Sequence, residues 1–253
     1  MWSENGPCYI IGEAGSNHDG KLDQALELIE VAADARCDAV KFQCIPPFQR
    51  DWWEDLDERA DNLGLDLLAT HFDVEAVRFL QEMGVPLLKI ASPEIINEAL
   101  LNEAAGTGLP VILSTGMASI GDIDAALSRR GRHWFEVALL QCTTRYPAPP
   151  EQANLRAMDT MRQAFGFPVG LSDHSLGTAI PIAAVALGAA VVEKHFTLDR
   201  TLEGPDHHYA LEPVELKAMV EGIRQVEQAL GDGRKDGPQE GEMVEARGRQ
   251  LTW

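Results

Sequence analysis

The sequence has few cysteines, no long apolar run and no secretion signal. Its four cysteines, Cys8, Cys37, Cys44 and Cys142, lack CxxC spacing, which argues against a disulfide framework and a thiolate zinc site. We expect them to be reduced packing residues. No window approaches the roughly 18 consecutive apolar residues of a membrane span, and MWSENGPCYIIGEAG has no basic region followed by an apolar one. These absences predict a cytoplasmic protein without membrane contacts.

Basic residues are also scarce: 21 lysines and arginines stand against 40 acidic residues, which gives a net charge of −19. Nucleic acid is a poor partner for such a chain, because binding to a phosphate backbone requires a basic face. Small anions are still compatible, since lysines inside a cleft bind phosphate or carboxylate whatever the charge of the outer surface.

The 253 residues fit one (β/α)₈ TIM barrel, which typically needs about 250. Short β-rich runs alternate with amphipathic helical stretches such as LDQALELIEVAADA. The predicted strands are residues 8–13, 39–43, 66–70, 87–91, 110–114, 137–142, 168–173 and 190–196. A doubly wound open sheet is the competing architecture, but eight evenly spaced units favour closure. We assign residues 1–231 to the barrel and the polar, glycine-rich residues 232–253 to a C-terminal tail.

Polar residues interrupt the predicted strands near their carboxyl ends, although strands of a parallel barrel should be almost entirely apolar. They are Glu13, Lys41, Gln43, Thr70, Lys89, Ser92, Ser114, Ser172, His174, Glu193 and His195. Barrel enzymes carry their chemistry at this end of the strands.

Two histidines lie at matching depth on the last two predicted strands. Residues two apart on a strand face the same side, so His174 shares a face with Ser172, and His195 with Glu193. Convergence of the two imidazoles and a carboxylate would suit a first-row divalent ion such as Mn²⁺, Zn²⁺ or Fe²⁺. The alternative is that each histidine is a hydrogen-bonded core residue.

Lys41 and Lys89 lie inside apolar strands, where an unpaired lysine is costly. Together with nearby serine hydroxyls they would form an anion site for phosphate and carboxylate. Alternatively, each lysine pairs with a structural acid such as Glu13. The two interpretations are compatible.

Two loops at the predicted mouth carry further candidates. In GSNHDG, His18 and Asp19 either reach the mouth or form a surface turn. In GPDHHYALEP, Asp206 and the two histidines after it either contact substrate or form the entry to a helix. We expect the aromatic run DWWEDL to pack a helix against the barrel.

Taken together, IGEAGSNHDG, AVKFQ, KIAS, STGM, SDHS, EKHFTLD and GPDH resemble the N-acetylneuraminate (sialic acid) synthase family, which includes legionaminate and pseudaminate synthases. The resemblance implies a TIM-barrel enzyme of carbohydrate biosynthesis. It would condense phosphoenolpyruvate with an N-acylated sugar aldehyde to give a 2-keto sugar acid and phosphate, with Mn²⁺ as the usual metal.

The resemblance also implies residue roles. His174 and His195 would be the metal ligands and would take part in catalysis with Glu13 and Glu193. The residues implied to bind phosphoenolpyruvate are Lys41, Thr70, Lys89, Ser92, Ser114 and Ser172. Tyr146 and Asp206, with the two glutamates, match positions that line the sugar and the reaction centre.

The family commonly carries a C-terminal antifreeze-like domain, and EARGRQLTW stands where its linker would begin. The resemblance therefore implies either a homodimer or a separate antifreeze-like partner. The alternative activities are those of a metal-dependent barrel hydrolase or aldolase that uses the same two histidines.

Overall fold

A computed structural model defines residues 2, 6–43, 50–128, 133–134 and 136–237 of the chain. Within these ranges, eight parallel strands form one closed barrel in which each strand neighbours the next in the sequence. The predicted TIM barrel is confirmed, and the open-sheet alternative is wrong. Cys44 and residues 238–253 of the predicted tail lie outside the described residues.

The eight predicted strands are all present, and their ends differ from the prediction by at most two residues. The strands are β1 (Tyr9–Gly15), β2 (Ala39–Gln43), β3 (Asp66–His71), β4 (Leu88–Ile90), β5 (Val111–Ser114), β6 (Val137–Cys142), β7 (Val169–Asp173) and β8 (Val191–His195). The helices are α1 (Leu22–Asp34), α2 (Trp53–Leu63), α3 (Val74–Glu82), α4 (Glu98–Gly106), α5 (Ile120–Ser128), α6 (Ala157–Phe165), α7 (Ala179–Ala186) and α8 (Pro213–Leu230). Helix α8 ends beside the predicted domain boundary, which stays a prediction.

The barrel closes where β1 pairs with β8. In this pairing Ile11 is in register with Glu193, and Glu13 with His195. On its other edge β1 pairs with β2, with Glu13 in register with Lys41. Strand β1 therefore brings residues from the two ends of the chain to the same height in the barrel.

An apolar layer fills the lower part of the barrel. Its buried members are Trp2, Ile11, Ala39, Leu68, Leu87, Ile112, Ala138, Leu140, Ala190 and Val191. A second, larger apolar cluster packs the outer faces of the strands against the helices; there Trp53 of α2 meets Phe79 of α3 edge to face at 5.8 Å, as expected for DWWEDL. Because apolar packing occupies these places, the polar side chains of the strands meet above the lower layer.

Asp173 of β7 and Lys194 of β8 face away from the cavity and form a buried ion pair. Each directly precedes a histidine of the cavity in the sequence. Lys194 Nζ lies 2.5 Å from Asp173 Oδ2, and the Ser175 hydroxyl donates to the same carboxylate oxygen at 2.8 Å. Lys194 also donates to the carbonyl oxygen of Ser175. These contacts join the two strands on the face opposite their inward-facing histidines.

The described cysteines, Cys8, Cys37 and Cys142, are buried free thiols, as predicted. None of the helices in the described ranges combines the length and the apolar composition needed to cross a bilayer.

His71, at the end of β3, is fully buried, and within the described ranges neither of its ring nitrogens has a hydrogen-bond partner. Burial, reinforced by Lys89 and Lys41, lowers its pKa to about 4 from the usual 6.5. The unfolded chain then binds more protons than the native state between these two values, so acidification through this window destabilises the protein. We compare the wild type with His71→Leu. Between pH 7 and pH 4, the free energy of unfolding of the wild type should fall by about 3 kcal/mol more than that of the variant.

Urea denaturation of both proteins at four pH values measures this difference. Substitution of His208, which is exposed, by leucine provides the control and should give a curve nearly parallel to that of the wild type. A constant difference between wild type and His71→Leu across the pH range would contradict the prediction.

Candidate active site

A cavity of about 370 Å³ opens at the carboxyl ends of the strands. The predicted site residues all line it: Glu13, Lys41, Thr70, Lys89, Ser92, Ser114, Tyr146, Ser172, His174, Glu193, His195 and Asp206. The other lining residues are Ser16, Gln43, Phe72, Ala91, Pro93, Cys142 and Pro205. Side chains from all eight strands, or from the loops that follow them, thus line one cavity.

One side of the cavity holds two lysines and two glutamates, all at most 5% exposed. Lys41 Nζ lies 2.8 Å from Glu13 Oε2 and 3.5 Å from Glu193 Oε2. Lys89 Nζ lies 3.2 Å from Glu193 Oε1, which also accepts a 2.9 Å hydrogen bond from Ser172. The lysines therefore pair with acids, as the structural interpretation expects, and also line the cavity, as the anion-site interpretation expects.

The two carboxylates differ in proton affinity. Burial raises the pKa of Glu13 even though Lys41 lies beside it. Burial acts in the same direction on Glu193, but Lys41 and Lys89 outweigh it and lower the pKa of Glu193 to about 2. Neighbouring acids whose pKa values are driven apart are characteristic of catalytic sites. The environment thus favours the ionised form of Glu193, and Glu13 is the better proton acceptor.

The lysines are affected by the same environment. For Lys41, burial acts to lower the pKa, but the carboxylates of Glu13 and Glu193 outweigh it and raise the value. For Lys89, burial prevails and lowers the pKa despite the facing Glu193. Lys89 therefore has the less compensated ammonium group, and an anion in the cavity would favour its charged form.

Three hydroxyls lie around the lysine side of the cavity. Lys41 donates to Thr70 Oγ1, and the backbone N–H of Gly116 donates to Ser92 Oγ at 2.9 Å. Ser114 is 2% exposed, and its Oγ has no hydrogen-bond partner among the described residues. Ser114 thus offers a buried donor that a ligand in the cavity can satisfy.

The two histidines occupy the other side, with ring centroids 5.4 Å apart. His174 Nδ1 lies 2.9 Å from the carbonyl oxygen of Thr143, to which it donates, so Nε2 is left with a free lone pair. Burial, followed by His174 and Lys41, holds the pKa of His195 well below its usual value, and its buried Nδ1 has no hydrogen-bond partner within the described part of the chain. For His174, burial acts to lower the pKa, but Cys142 and the Thr143 carbonyl outweigh it and raise the value above its usual 6.5. In its neutral form, an imidazole oriented by a backbone carbonyl fits a divalent metal ion.

Glu193 interacts with the lysines and Ser172 rather than completing a ligand set with the histidines. Within the described residues, no three His, Cys, Asp or Glu side chains converge at metal-binding distance. Asp206 Oδ2 lies 4.0 Å from His195 Nδ1. A metal ion bound by these two imidazoles would need substrate or water to complete its coordination.

Loop residues complete the histidine side. The Tyr146 ring lies 4.2 Å from that of His174, and the Tyr209 hydroxyl donates to Asp206 Oδ1 at 2.7 Å. Tyr209 and Ser16 were not predictable from the sequence, because their positions depend on loop conformation, and Cys142 was expected only to pack. Cys142 was within reach of the alternation rule, because it shares the inward face of β6 with Leu140.

The remaining loop candidates lie apart from the cavity. His18 is buried and meets Trp52 edge to face at 5.5 Å, while Asp19 binds His207. His208 is exposed and packs edge to face against Tyr209. Of the three candidates in GPDHHYALEP, only Asp206 lines the cavity.

The sequence is similar to known proteins. The sequence profile described as the NeuB family matches residues 46–235. The N,N'-diacetyllegionaminic acid synthase of Campylobacter jejuni is 44% identical over 261 residues, covering 89% of this chain and 78% of that protein. The N-acetylneuraminate-9-phosphate synthase of Mus musculus is 35% identical over 261 residues, covering 90% of this chain and 73% of that protein.

A solved structure agrees as well. The crystal structure of N-acetylneuraminic acid (sialic acid) synthetase from Leptospira borgpetersenii, in complex with citrate, superposes with a TM-score of 0.87 at 40% identity, covering 97% of this chain and 92% of that one. On these matches the chain belongs to the NeuB family and is an enzyme of the sialic-acid-synthase type.

Proposed function

We propose that this enzyme condenses phosphoenolpyruvate with an N-acylated hexosamine-type aldose, releasing phosphate and forming a 2-keto-3-deoxy sugar acid. The observation that carries the proposal is the division of one cavity into a lysine side and a histidine side. Lys41 and Lys89 suit a substrate with two anionic groups, and His174 and His195 suit a metal ion.

In this proposal the lysine side binds phosphoenolpyruvate. The Ser114 hydroxyl has no partner among the described residues, and the Lys89 ammonium group has further donors besides the one that faces Glu193. Both can bind an incoming anion, while Lys41 already donates to Thr70. Ser92 and Ser172 add hydroxyls on the same side. Charge-assisted hydrogen bonds to phosphate and carboxylate would hold the enol double bond in a fixed orientation.

The histidine side would hold a divalent cation, which we propose to be Mn²⁺, through His174 and His195. Such an ion supplies Lewis-acid polarisation of the aldehyde oxygen. Tyr146 and Asp206 lie against the same histidines, and we assign them to the sugar. The aldehyde carbon would then lie between the two substrate-binding sides.

Bond formation follows from this arrangement. C3 of phosphoenolpyruvate attacks the aldehyde carbon, and positive charge develops at C2. The carboxylates of Glu13 and Glu193 stabilise this charge. Water then adds to C2, with Glu13 taking its proton because Glu13 has the higher proton affinity of the two acids. The C2 hydroxyl gives its remaining proton to the departing inorganic phosphate as the C2–O–P linkage breaks at C2, which leaves the 2-keto group, and the proton taken up by Glu13 neutralises the alkoxide formed from the aldehyde.

The test is to incubate the protein with Mn²⁺, phosphoenolpyruvate and a panel of N-acylated hexosamines, and to measure phosphate together with product mass. The proposal requires phosphate release that depends on an aldose and matches a 2-keto acid in amount. Phosphate release without any aldose would indicate a hydrolase, and product formation from pyruvate in place of phosphoenolpyruvate would indicate an aldolase.

A further inference from the structure

A buried histidine connects the first and last βα loops of the barrel. His207 is fully buried, and both of its ring nitrogens have partners. Its Nε2 lies 2.9 Å from Asp19 Oδ1 in the loop after β1, and its Nδ1 lies 2.6 Å from Thr197 Oγ1 just after β8. Because the carboxylate can only accept, Nε2–H donates to Asp19. Nδ1 forms the second hydrogen bond with Thr197 Oγ1, which also donates to the carbonyl oxygen of Asp199 at 3.2 Å.

Further contacts reinforce both ends of this connection. Gln24 of α1 donates to Asp19 Oδ2 at 2.7 Å and to the carbonyl oxygen of Asn17 at 2.6 Å. Asn17 in turn donates to the carbonyl oxygen of Phe196 at 2.8 Å. The loop after β1 is therefore tied to the segment after β8 at two separate points.

Asp206 and Tyr209, which flank His207 and His208 in the sequence, lie beside the histidine side of the cavity. Asp206 lines the cavity, and its Oδ2 lies 4.0 Å from His195 Nδ1. The Tyr209 hydroxyl binds Asp206, and its ring lies 5.3 Å from that of His195. The short 3₁₀ helix His207–Tyr209 thus buries His207 in the protein, while Asp206, just before the helix, lines the cavity.

We infer that Asp19, His207 and Thr197 form a clamp that fixes Asp206 at the cavity, with His207 as a positioning residue for the aldose. The inference rests on the proposed function for the role of Asp206. Thr197 is fully buried, so the row of threonine, histidine and aspartate acts by fixing the loops and not as a nucleophile and base. The clamp should govern how the aldose is held and leave phosphoenolpyruvate binding unchanged.

Three substitutions separate the parts of the clamp. His207→Ala removes both hydrogen bonds, whereas His207→Gln keeps an amide donor near the position of Nε2 and so keeps the link to Asp19. Gly204→Ala removes no hydrogen-bonding group, but its Cβ would lie 2.6 Å from Cδ2 of the His207 ring and displace it. Tyr9→Phe is the matched control, because it removes a partly buried hydrogen bond to Asp66 at the amino-terminal end of β1, away from the clamp.

Steady-state kinetics with phosphoenolpyruvate, Mn²⁺ and the panel aldose that is turned over fastest provide the first readout. We expect His207→Ala to lower kcat/KM for the aldose about 10- to 100-fold, the scale of a misplaced substrate contact, with KM for phosphoenolpyruvate unchanged. Gly204→Ala should act in the same direction, His207→Gln should recover most of the loss, and Tyr9→Phe should leave both values near wild type. Asp206→Asn combined with His207→Ala should be no worse than Asp206→Asn alone, because both changes act through one carboxylate.

Hydrogen exchange provides a readout that needs no turnover. In His207→Ala, amide exchange should rise in residues 16–21 and 198–211 together and stay unchanged in the strands. If the wild type turned over no aldose, the proposed function would fail while the exchange result would still test the clamp. Exchange that rises in only one loop, or kinetic losses that add independently in the double variant, would overturn the inference.

Discussion

His174→Ala is expected to lower turnover by at least about a thousandfold and to deplete the protein of divalent metal. The proposed metal stabilises developing charge by several kcal/mol, and each 1.4 kcal/mol corresponds to about tenfold in rate. Removing one of two imidazole ligands should eliminate most of this contribution. Metal content after dialysis, measured by mass spectrometry, gives a result that does not depend on the assay.

The matched control for this variant is His208→Ala, which removes an exposed histidine between β8 and α8 and should retain metal and activity. Phosphoenolpyruvate binding should persist in His174→Ala, because the lysines lie on the other side of the cavity, and its persistence would show that the barrel is intact. Full activity with bound metal in His174→Ala would refute the site assignment.

Lys89→Met is expected to weaken phosphoenolpyruvate binding about 10- to 100-fold, as measured by calorimetric titration. A hydrogen bond to a charged group contributes about 1.5–3 kcal/mol, and Lys89 has the less compensated of the two ammonium groups in the cavity. The substitution also leaves Glu193 with one cationic partner fewer, so stability should fall as well.

A charge-balanced pair of variants separates affinity from stability. Lys89→Met with Glu193→Gln removes both members of the ion pair and should recover stability without restoring phosphoenolpyruvate binding. Asp173→Asn with Lys194→Met removes the buried ion pair on the outer face of the neighbouring strands and should keep near-normal affinity. If Lys89→Met with Glu193→Gln bound phosphoenolpyruvate as tightly as the wild type and the control double variant do, Lys89 would not be part of the anion site.

The inward-facing residues were predictable because the alternation of a strand is a local property. Ser172 with His174 and Glu193 with His195 required only a correct strand assignment and the rule that barrel chemistry lies at the carboxyl end. The closed barrel followed from the even spacing of eight βα units. The roles of these residues stay predictions, since geometry alone does not test them.

The partners of each group were not predictable in the same way. Glu193 joins the lysines instead of the histidines because the tilt and stagger of the strands decide which side chains meet across the barrel. The loop contacts were harder still: the pairing of His207 with Asp19 joins distant parts of the sequence through irregular backbone, for which no periodic pattern exists.

Because β1 pairs with β8, the last strand of the barrel, the cavity can form only after the ribosome has synthesised β8. Glu13 emerges near the start of translation and can meet Lys41 soon afterwards, yet its other strand neighbour, His195, is translated near the end. Until β8 arrives, β1 and β7 each expose an unpaired strand edge, a feature that promotes aggregation of nascent chains. A chain arrested before β8 would therefore lack Glu193 and His195, and with Glu193 the two contacts that it makes with Lys41 and Lys89. Ligand binding would then report that translation has passed the last strand.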